Sequence, residues 1–344
     1  MERRQFDTPP HFVPEKVGEV WRVDYQGIAT AATAWKTKYS LNPSYQDRPK
    51  VCLLGIDLQN TFCIPQYELF VGGHSGFAAV EDNLRLCRFI YQNLEWITQF
   101  VVTMDSHQTY QIFHPAFLEN SNGQNPGPFT VISTDDIAAG RWRISPETCA
   151  ALGVSTGWAQ EYIRAYSRKL NESDKYEWAV WPYHAMLGGI GHALVSAFDE
   201  AIFFHSIART SMPSIHLKGQ NPWTEHYSAL GPEVPESEDR RPAAPNNTAL
   251  VDELLKFDKV LIAGQAKSHC VAWTVEDLLL EIRDRGIELV EKFYLLEDCT
   301  SPVVVPGVTD FTEQADARFE KFRQAGIHVV RSTDPISDWL DTGE

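Results

Sequence analysis

The stretch Val260–Val271 reads VLIAGQAKSHCV, and the order of residue types in it decides how the rest of the chain is read. Val260–Ala263 is a short apolar run of β type, closed by Gly264 and followed by a turn of small residues. Cys270 stands where a helix is expected to begin. That helix is predicted over Val271–Arg285, with Val271, Val275, Leu278, Leu279 and Ile282 at helical spacing and Gly286 just past its end. At such a strand-to-helix turn the positive end of the helix dipole lowers a thiol's pKa and favours the thiolate. Free N–H groups at the same place can hold an oxyanion. A single cysteine is as readily a small buried hydrophobe, so the reading of Cys270 turns on its partners.

Outward from this stretch the chain alternates strand and helix. Residues 50–57, KVCLLGID, form a near-continuous apolar run, as a central parallel strand covered on both faces requires, and the run ends in Asp57. Helical spacing follows across Val80–Leu94, then a strand-like run Phe100–Met104 that ends in Asp105, Ser106 and His107. Further on come a predicted helix at 192–207, a strand at Ser214–Lys218, the strand and helix around Cys270, a strand at Glu291–Leu296, a helix at 312–325 and a last strand at Ile327–Val330. The alternation predicts an α/β fold: a six-stranded, mainly parallel, doubly wound (Rossmann-like) sheet with helices on both faces. Residues 1–48, rich in proline and without a sustained period, read as an extended N-terminal arm. Residues 49–335 read as one domain, interrupted by an insertion at about 110–180 that shapes a pocket or an interface. Residues 231–247, GPEVPESEDRRPAAPNN, read as a polar loop.

Bulk properties narrow the function. A net charge of −16 repels polyanions, which argues against nucleic acid and anionic membrane surfaces as partners. No run approaches the roughly 20 apolar residues of a membrane span, and the N-terminus lacks an apolar signal core. Six cysteines with no C-x-x-C pair are too few for a disulfide scaffold, and a reducing, cytoplasmic setting is expected.

Four predicted strand ends carry polar residues on what should be one rim: Asp57, Asp105 with His107, Lys218 and Cys270. Carboxylate, cation and thiol are the types that covalent catalysis uses. Asp105-Ser-His107 offers an oxygen and a nitrogen suited to Zn²⁺ or Fe²⁺, with His184 and His114 as further candidate ligands.

With these residues assembled, the chain resembles the isochorismatase-like cysteine hydrolases, and among them the nicotinamidases (pyrazinamidases). The likeness runs through DLQNTFC (Asp57–Cys63), FVGG (Phe70–Gly73), TMDSH (Thr103–His107), WPYH (Trp181–His184), KG with HYSAL (Lys218–Leu230) and GQAKSHCV (Gly264–Val271), in family order over about residues 50–332. The resemblance implies a catalytic triad of Asp57, Lys218 and Cys270, and metal ligands Asp105, His107 and His184, with His114 a further candidate. It also implies one divalent ion, Zn²⁺ first and Fe²⁺ or Mn²⁺ as alternatives. An oxyanion hole from the backbone N–H groups of Ala266 and Cys270, a cis peptide at Gln265–Ala266, and a substrate ring held by Phe62 and Trp181 follow from the same likeness. The implied activity is hydrolysis of nicotinamide to nicotinate and ammonia through a cysteine thioester, with a small-molecule amide as partner, a role in NAD salvage and a homo-oligomer as assembly. A related amidase or carbamoyl hydrolase with a larger substrate, and a non-catalytic binding protein on the same scaffold, are the alternative expectations. The chain departs from the nicotinamidase pattern at Ala185, where a cysteine is usual after WPxH.

Overall fold

The computed structural model describes residues 4–172, 176–234 and 246–340. Its sheet is built from β1 (Val51–Ile56), β2 (Gln99–Asp105), β3 (Ser214–Lys218), β4 (Lys259–Gly264), β5 (Phe293–Leu296) and β6 (His328–Val330), in the order β3-β2-β1-β4-β5-β6. The expected α/β class and six strands are those observed. β1 lies parallel to β2 and β4, β4 to β5, and β5 to β6. Every residue of β1 is buried, which is why that run is apolar throughout rather than alternating. This order reverses at β1, and α/β sheets of this kind place ligands beyond the strand ends where the order reverses.

The described residues fall into two compact units. The first holds the described parts of Met1–Met104, Ala193–His216 and Thr248–Glu344; the second holds those of Asp105–His192 and Leu217–Asn247.

In the first unit the sheet is accompanied by α1 (Tyr25–Tyr39), α2 (Ala78–Gln92), α3 (Ser196–Arg209), α4 (Ala272–Arg285) and α5 (Thr312–Gln324). The strand expected at Glu291–Leu296 begins only at Phe293, because a 3₁₀ turn occupies Ile287–Lys292. The N-terminal segment departs from its expected extended form. Asp24 accepts the Gly27 N–H at 3.1 Å and caps α1. Phe6, Phe12, Val17, Val23, Ile28, Ala32 and Leu41 then enter the same apolar core as β1 and α3. Trp21 and Ser196 exchange hydrogen bonds at 3.0 and 2.9 Å, and the Tyr25 hydroxyl donates to Asp199 at 2.5 Å.

The second unit has its own apolar core, in which Ile112, Phe113, Phe117, Ile163, Tyr166 and Trp178 are buried. Helix Thr156–Glu172 and a two-stranded pairing of Leu118–Glu119 with Arg143–Ile144 frame it. The expected insertion at 110–180 falls within this unit. Of the polar loop at 231–247, residues 235–245 lie outside the described part. No helix among the described residues is long and apolar enough to cross a membrane.

Two expectations about stability follow. Gly264 ends β4 at φ 135°, and a Cβ there would lie 2.0 Å from the Ile56 carbonyl oxygen. Gly264→Ala should cost about 3 kcal/mol or more in denaturant unfolding, whereas Gly127→Ala, which meets nothing within 4 Å, should stay within about 0.5 kcal/mol of wild type. Burial, with Asp199 adding to it, pushes the Glu200 carboxyl from 4.5 up to about 7. The folded state therefore holds this proton more tightly than the unfolded chain, and its contribution is lost as pH rises through that interval. Glu200→Gln should accordingly gain stability on wild type between pH 4.5 and 7, read as a widening gap in unfolding midpoint.

Candidate active site and metal centre

In the first unit the end of β1 hands the chain to Asp57, which is fully buried at φ 50°. Its N–H donates to the Thr103 carbonyl at 3.1 Å, and the Thr103 hydroxyl donates to its Oδ1 at 2.7 Å, so β2 fixes the carboxylate. Phe62 lies close by in sequence, buried in the short helix Asn60–Cys63.

Beyond β4 the Gln265–Ala266 peptide is cis. Cys270 is not at the first position of the helix, as the sequence suggests. Residues Lys267–Val271 form a π turn, Val271 is the helix N-cap, and α4 starts at Ala272. Wide turns of this kind are uncommon and recur at functional sites. The N–H groups that follow Cys270 are already engaged: Val271 donates to Ala266 O at 3.1 Å, and Ala272 donates to His269 O. Cys270 itself is 7% exposed. The neighbouring His269 is buried, its ring nitrogen Nδ1 2.8 Å from Ser268 Oγ, and burial pushes its pKa down to about 3.

In the second unit Asp105, His107 and His184 come together. All three are buried, and each offers one ligand atom within 4.8 Å of the others. His107 Nε2 lies 2.8 Å and His184 Nε2 3.8 Å from Asp105 Oδ2. The far nitrogens are held by main-chain oxygens, His107 Nδ1 at 3.1 Å from Gly219 O and His184 Nδ1 at 2.7 Å from Pro182 O. A histidine that donates Nδ1–H to a carbonyl keeps its Nε2 lone pair for a metal. His107 faces an oxygen at both nitrogens, yet a neutral imidazole carries only one N–H. A cation at the Asp105 side satisfies that geometry, and one carboxylate with two imidazoles is a donor set for Zn²⁺ or Fe²⁺ with coordination positions left open.

The electrostatics agree with that fit. Burial works against the Asp105 charge, but His107 and Lys218 outweigh it and hold the carboxyl well below the usual range. Burial pushes His184 well below its ordinary value, toward the neutral form a metal needs. Lys218 closes the arrangement: its Nζ lies 3.1 Å from Asp105 Oδ1 and donates to His226 O at 2.8 Å. His114 stands beside the cluster without joining its converging atoms. Its ring centre is 5.9 Å from that of His107 and 5.7 Å from that of His184.

Three residues of this unit receive no role from the sequence, although Gly219 and Tyr227 lie in the KG and HYSAL segments. Gly219, at φ 78°, lets the chain pass where a Cβ would lie 2.6 Å from both Asp105 Oδ1 and His107 Cε1. Glu225 and Tyr227 hold the Trp181 indole, whose Nε1–H donates to Glu225 Oε1 at 2.8 Å and to the Tyr227 hydroxyl at 3.2 Å. Burial, with Glu233 adding to it, raises the Glu225 carboxyl well above the usual range, toward its neutral form. The KG pair after a strand is the one local signal that could have singled out Gly219. Nothing local marks Glu225.

The chain shares its fold with a solved nicotinamidase structure. Among solved structures it is similar to the yeast nicotinamidase Pnc1p bound to the inhibitor nicotinaldehyde, with a TM-score of 0.51 and 20% identity over 82% of this chain and 99% of that one. It is also similar to an Acinetobacter baumanii nicotinamidase and pyrazinamidase, with a TM-score of 0.48 and 20% identity over 84% of this chain and 99% of that one. A pyrazinamidase of Pyrococcus horikoshii in complex with zinc gives a TM-score of 0.43 and 17% identity over 82% and 99%. At these identities the yeast structure establishes the fold. No protein-family model matches the chain, and no curated protein matches it.

The cluster makes a direct prediction for metal analysis. Protein dialysed against buffered Zn²⁺ should retain about one equivalent, and Asp105→Ala or His184→Ala should each lose it. Because the imidazoles must be neutral to bind, retention should fall as the pH is lowered; equal metal in all three proteins would remove the site.

Proposed function

We propose that the protein is a metal-dependent cysteine amidohydrolase, and that its substrate is nicotinamide. The observation that carries this reading is the buried Asp105–His107–His184 set, with its outer nitrogens tied to carbonyls and Lys218 on its carboxylate.

In this reading Asp57, Lys218 and Cys270 form the catalytic set. Asp57 takes the Cys270 proton, and the positive charge of Lys218 favours the resulting thiolate. The thiolate sulfur bonds to the carboxamide carbon while the carbonyl π electrons move to oxygen. The backbone N–H groups of Ala266 and Cys270 receive that oxyanion, each such donor being worth on the order of 3 kcal/mol. Collapse breaks the C–N bond, and Asp57 returns its proton to the leaving ammonia. Asp57 then accepts one proton from water as the water oxygen attacks the thioester; collapse breaks the C–S bond, the acid product gives its remaining proton to solvent and leaves as nicotinate, and Asp57 returns its proton to the Cys270 thiolate. Phe62 and Trp181 hold the pyridine ring, Trp181 kept in place by Glu225 and Tyr227. Zn²⁺, our assignment for the ion held by Asp105, His107 and His184, would supply a Lewis-acid centre that orients the substrate or a water.

The test is ammonia release from nicotinamide by the zinc-loaded protein, beside Cys270→Ala. The wild-type protein should turn over and the variant should lose on the order of 10³-fold or more in kcat. A Cys270→Ala protein as active as wild type would discard the covalent route. Release from carbamoyl compounds in place of nicotinamide would keep the chemistry and change the substrate.

A further inference from the structure

The π turn that carries Cys270 is held from the side by one buried acid. Asp82 lies on α2 and is 1% exposed. A buried carboxylate needs partners for its charge, and Asp82 has three: the side chains of Arg85, Gln265 and Ser301. Arg85 Nη2 donates to its Oδ1 at 2.7 Å, and Gln265 Nε2 donates to its Oδ2 at 2.8 Å. Arg85 turns its Nε to the Asp298 carbonyl at 2.5 Å.

Gln265 is itself fully buried and is fixed at three atoms by three parts of the chain. Its main-chain N–H donates to Ile56 O at 2.9 Å, next to Asp57. Its Oε1 accepts the Ser301 N–H at 3.4 Å, and its Nε2 goes to Asp82. The amide therefore has only one workable orientation: oxygen toward Ser301, nitrogen toward position 82. An acceptor is required at 82. The rest of the turn is tied to the segment after β5, through Lys267 N–H to Ser301 O at 2.9 Å and Val303 N–H to Ser268 Oγ at 3.0 Å. Ala266 O then receives the N–H groups of His269 and Val271 at 3.0 and 3.1 Å, so the orientation of the residue after Gln265 sets the path of the chain through Cys270.

We propose that Asp82 is the positioning residue of the nucleophile turn, acting through Gln265 to set the Ala266 amide and the Cys270 thiol. Pairing with Arg85 alone would not require its second oxygen to meet the amide of the turn. The inference rests on the proposed function only in taking Cys270 as the reactive thiol; it does not depend on which amide is hydrolysed.

The experiment measures the rate at which Cys270 is alkylated by iodoacetamide from pH 5 to 9, located by peptide mass spectrometry, with Cys270→Ala as blank. Wild type is compared with Asp82→Asn and with the double variant Asp82→Asn/Gln265→Glu. Asp82→Asn keeps the acceptor for Arg85 but turns a donor toward a donor. In the double variant the carboxamide at 82 donates to the carboxylate at 265, whose other oxygen still accepts from Ser301. The expected result is wild-type labelling at pH 7 well above that of free cysteine, a loss of tenfold or more in Asp82→Asn, and recovery to within about threefold in the double variant. Nicotinamide kcat should follow the same order, with KM held within about twofold. Equal labelling in wild type and Asp82→Asn would overturn the inference and leave the proposed function standing. Wild-type labelling no faster than free cysteine would overturn both. Labelling as expected with no release of ammonia from nicotinamide would uphold the inference and discard that substrate. If Asp82→Asn does not fold, Gln265→Met removes the same bond from its other end and is read in the same way.

Discussion

The second unit depends on one anion. Asp105 is buried, and a buried carboxylate at the end of β2 must collect positive charge or give up its own. It collects Lys218 on one oxygen and the two imidazole edges on the other. Each of those groups is then held by something that has no part in the charge: a carbonyl of Gly219, a carbonyl of Pro182, a carbonyl of His226. The consequence is a cluster in which each group around the carboxylate is also tied to a main-chain oxygen, so that it is held from both sides. Removing the acid would leave an ammonium and two imidazoles facing each other in a dry pocket, which is why Asp105 is the residue around which the others make sense.

The same logic runs through the first unit at shorter range. β1 and β4 approach so closely at Ile56 and Gly264 that only a glycine fits, and that approach brings Gln265 under the carbonyl of Ile56. The path of the chain after β4 is thereby determined by backbone contact before any side chain acts. Asp82 and Ser301 then choose the orientation of the Gln265 amide. The result is a turn whose geometry is specified by hydrogen-bond direction, with apolar packing left to α4.

How much of this could be read from the sequence depended on the range of the signal. The central strand was the most legible because a strand buried on both faces must be apolar along its whole length, as Val51–Ile56 is. Asp105, His107 and Lys218 were legible as polar residues at strand ends. The start of α4 was misplaced because Val271 fits the apolar spacing of a helix equally well from inside a π turn, and spacing does not record which carbonyl an N–H meets. α1 was missed for a different reason: only Ile28 and Ala32 are buried along its length, so it has almost no apolar stripe of its own. Glu225 reaches Trp181 across 44 positions of sequence, and no local pattern carries that information.

The pairing of the N-terminal segment with α3 has a consequence for the order in which the protein is made. Trp21 and Ser196 are 175 positions apart, and Tyr25 and Asp199 are 174. While the chain is being synthesised, the apolar residues from Phe6 to Leu41 emerge before α3 and have no α3 to pack on until the chain between such pairs as Trp21 and Ser196, 175 positions apart, has followed. At about 5–20 residues per second that interval is on the order of ten seconds or more. Contacts of such long sequence separation also slow folding once the chain is complete. The N-terminal segment is thus the stretch on which a growing chain would be most exposed to association with its neighbours, and the one a chaperone would be best placed to shield.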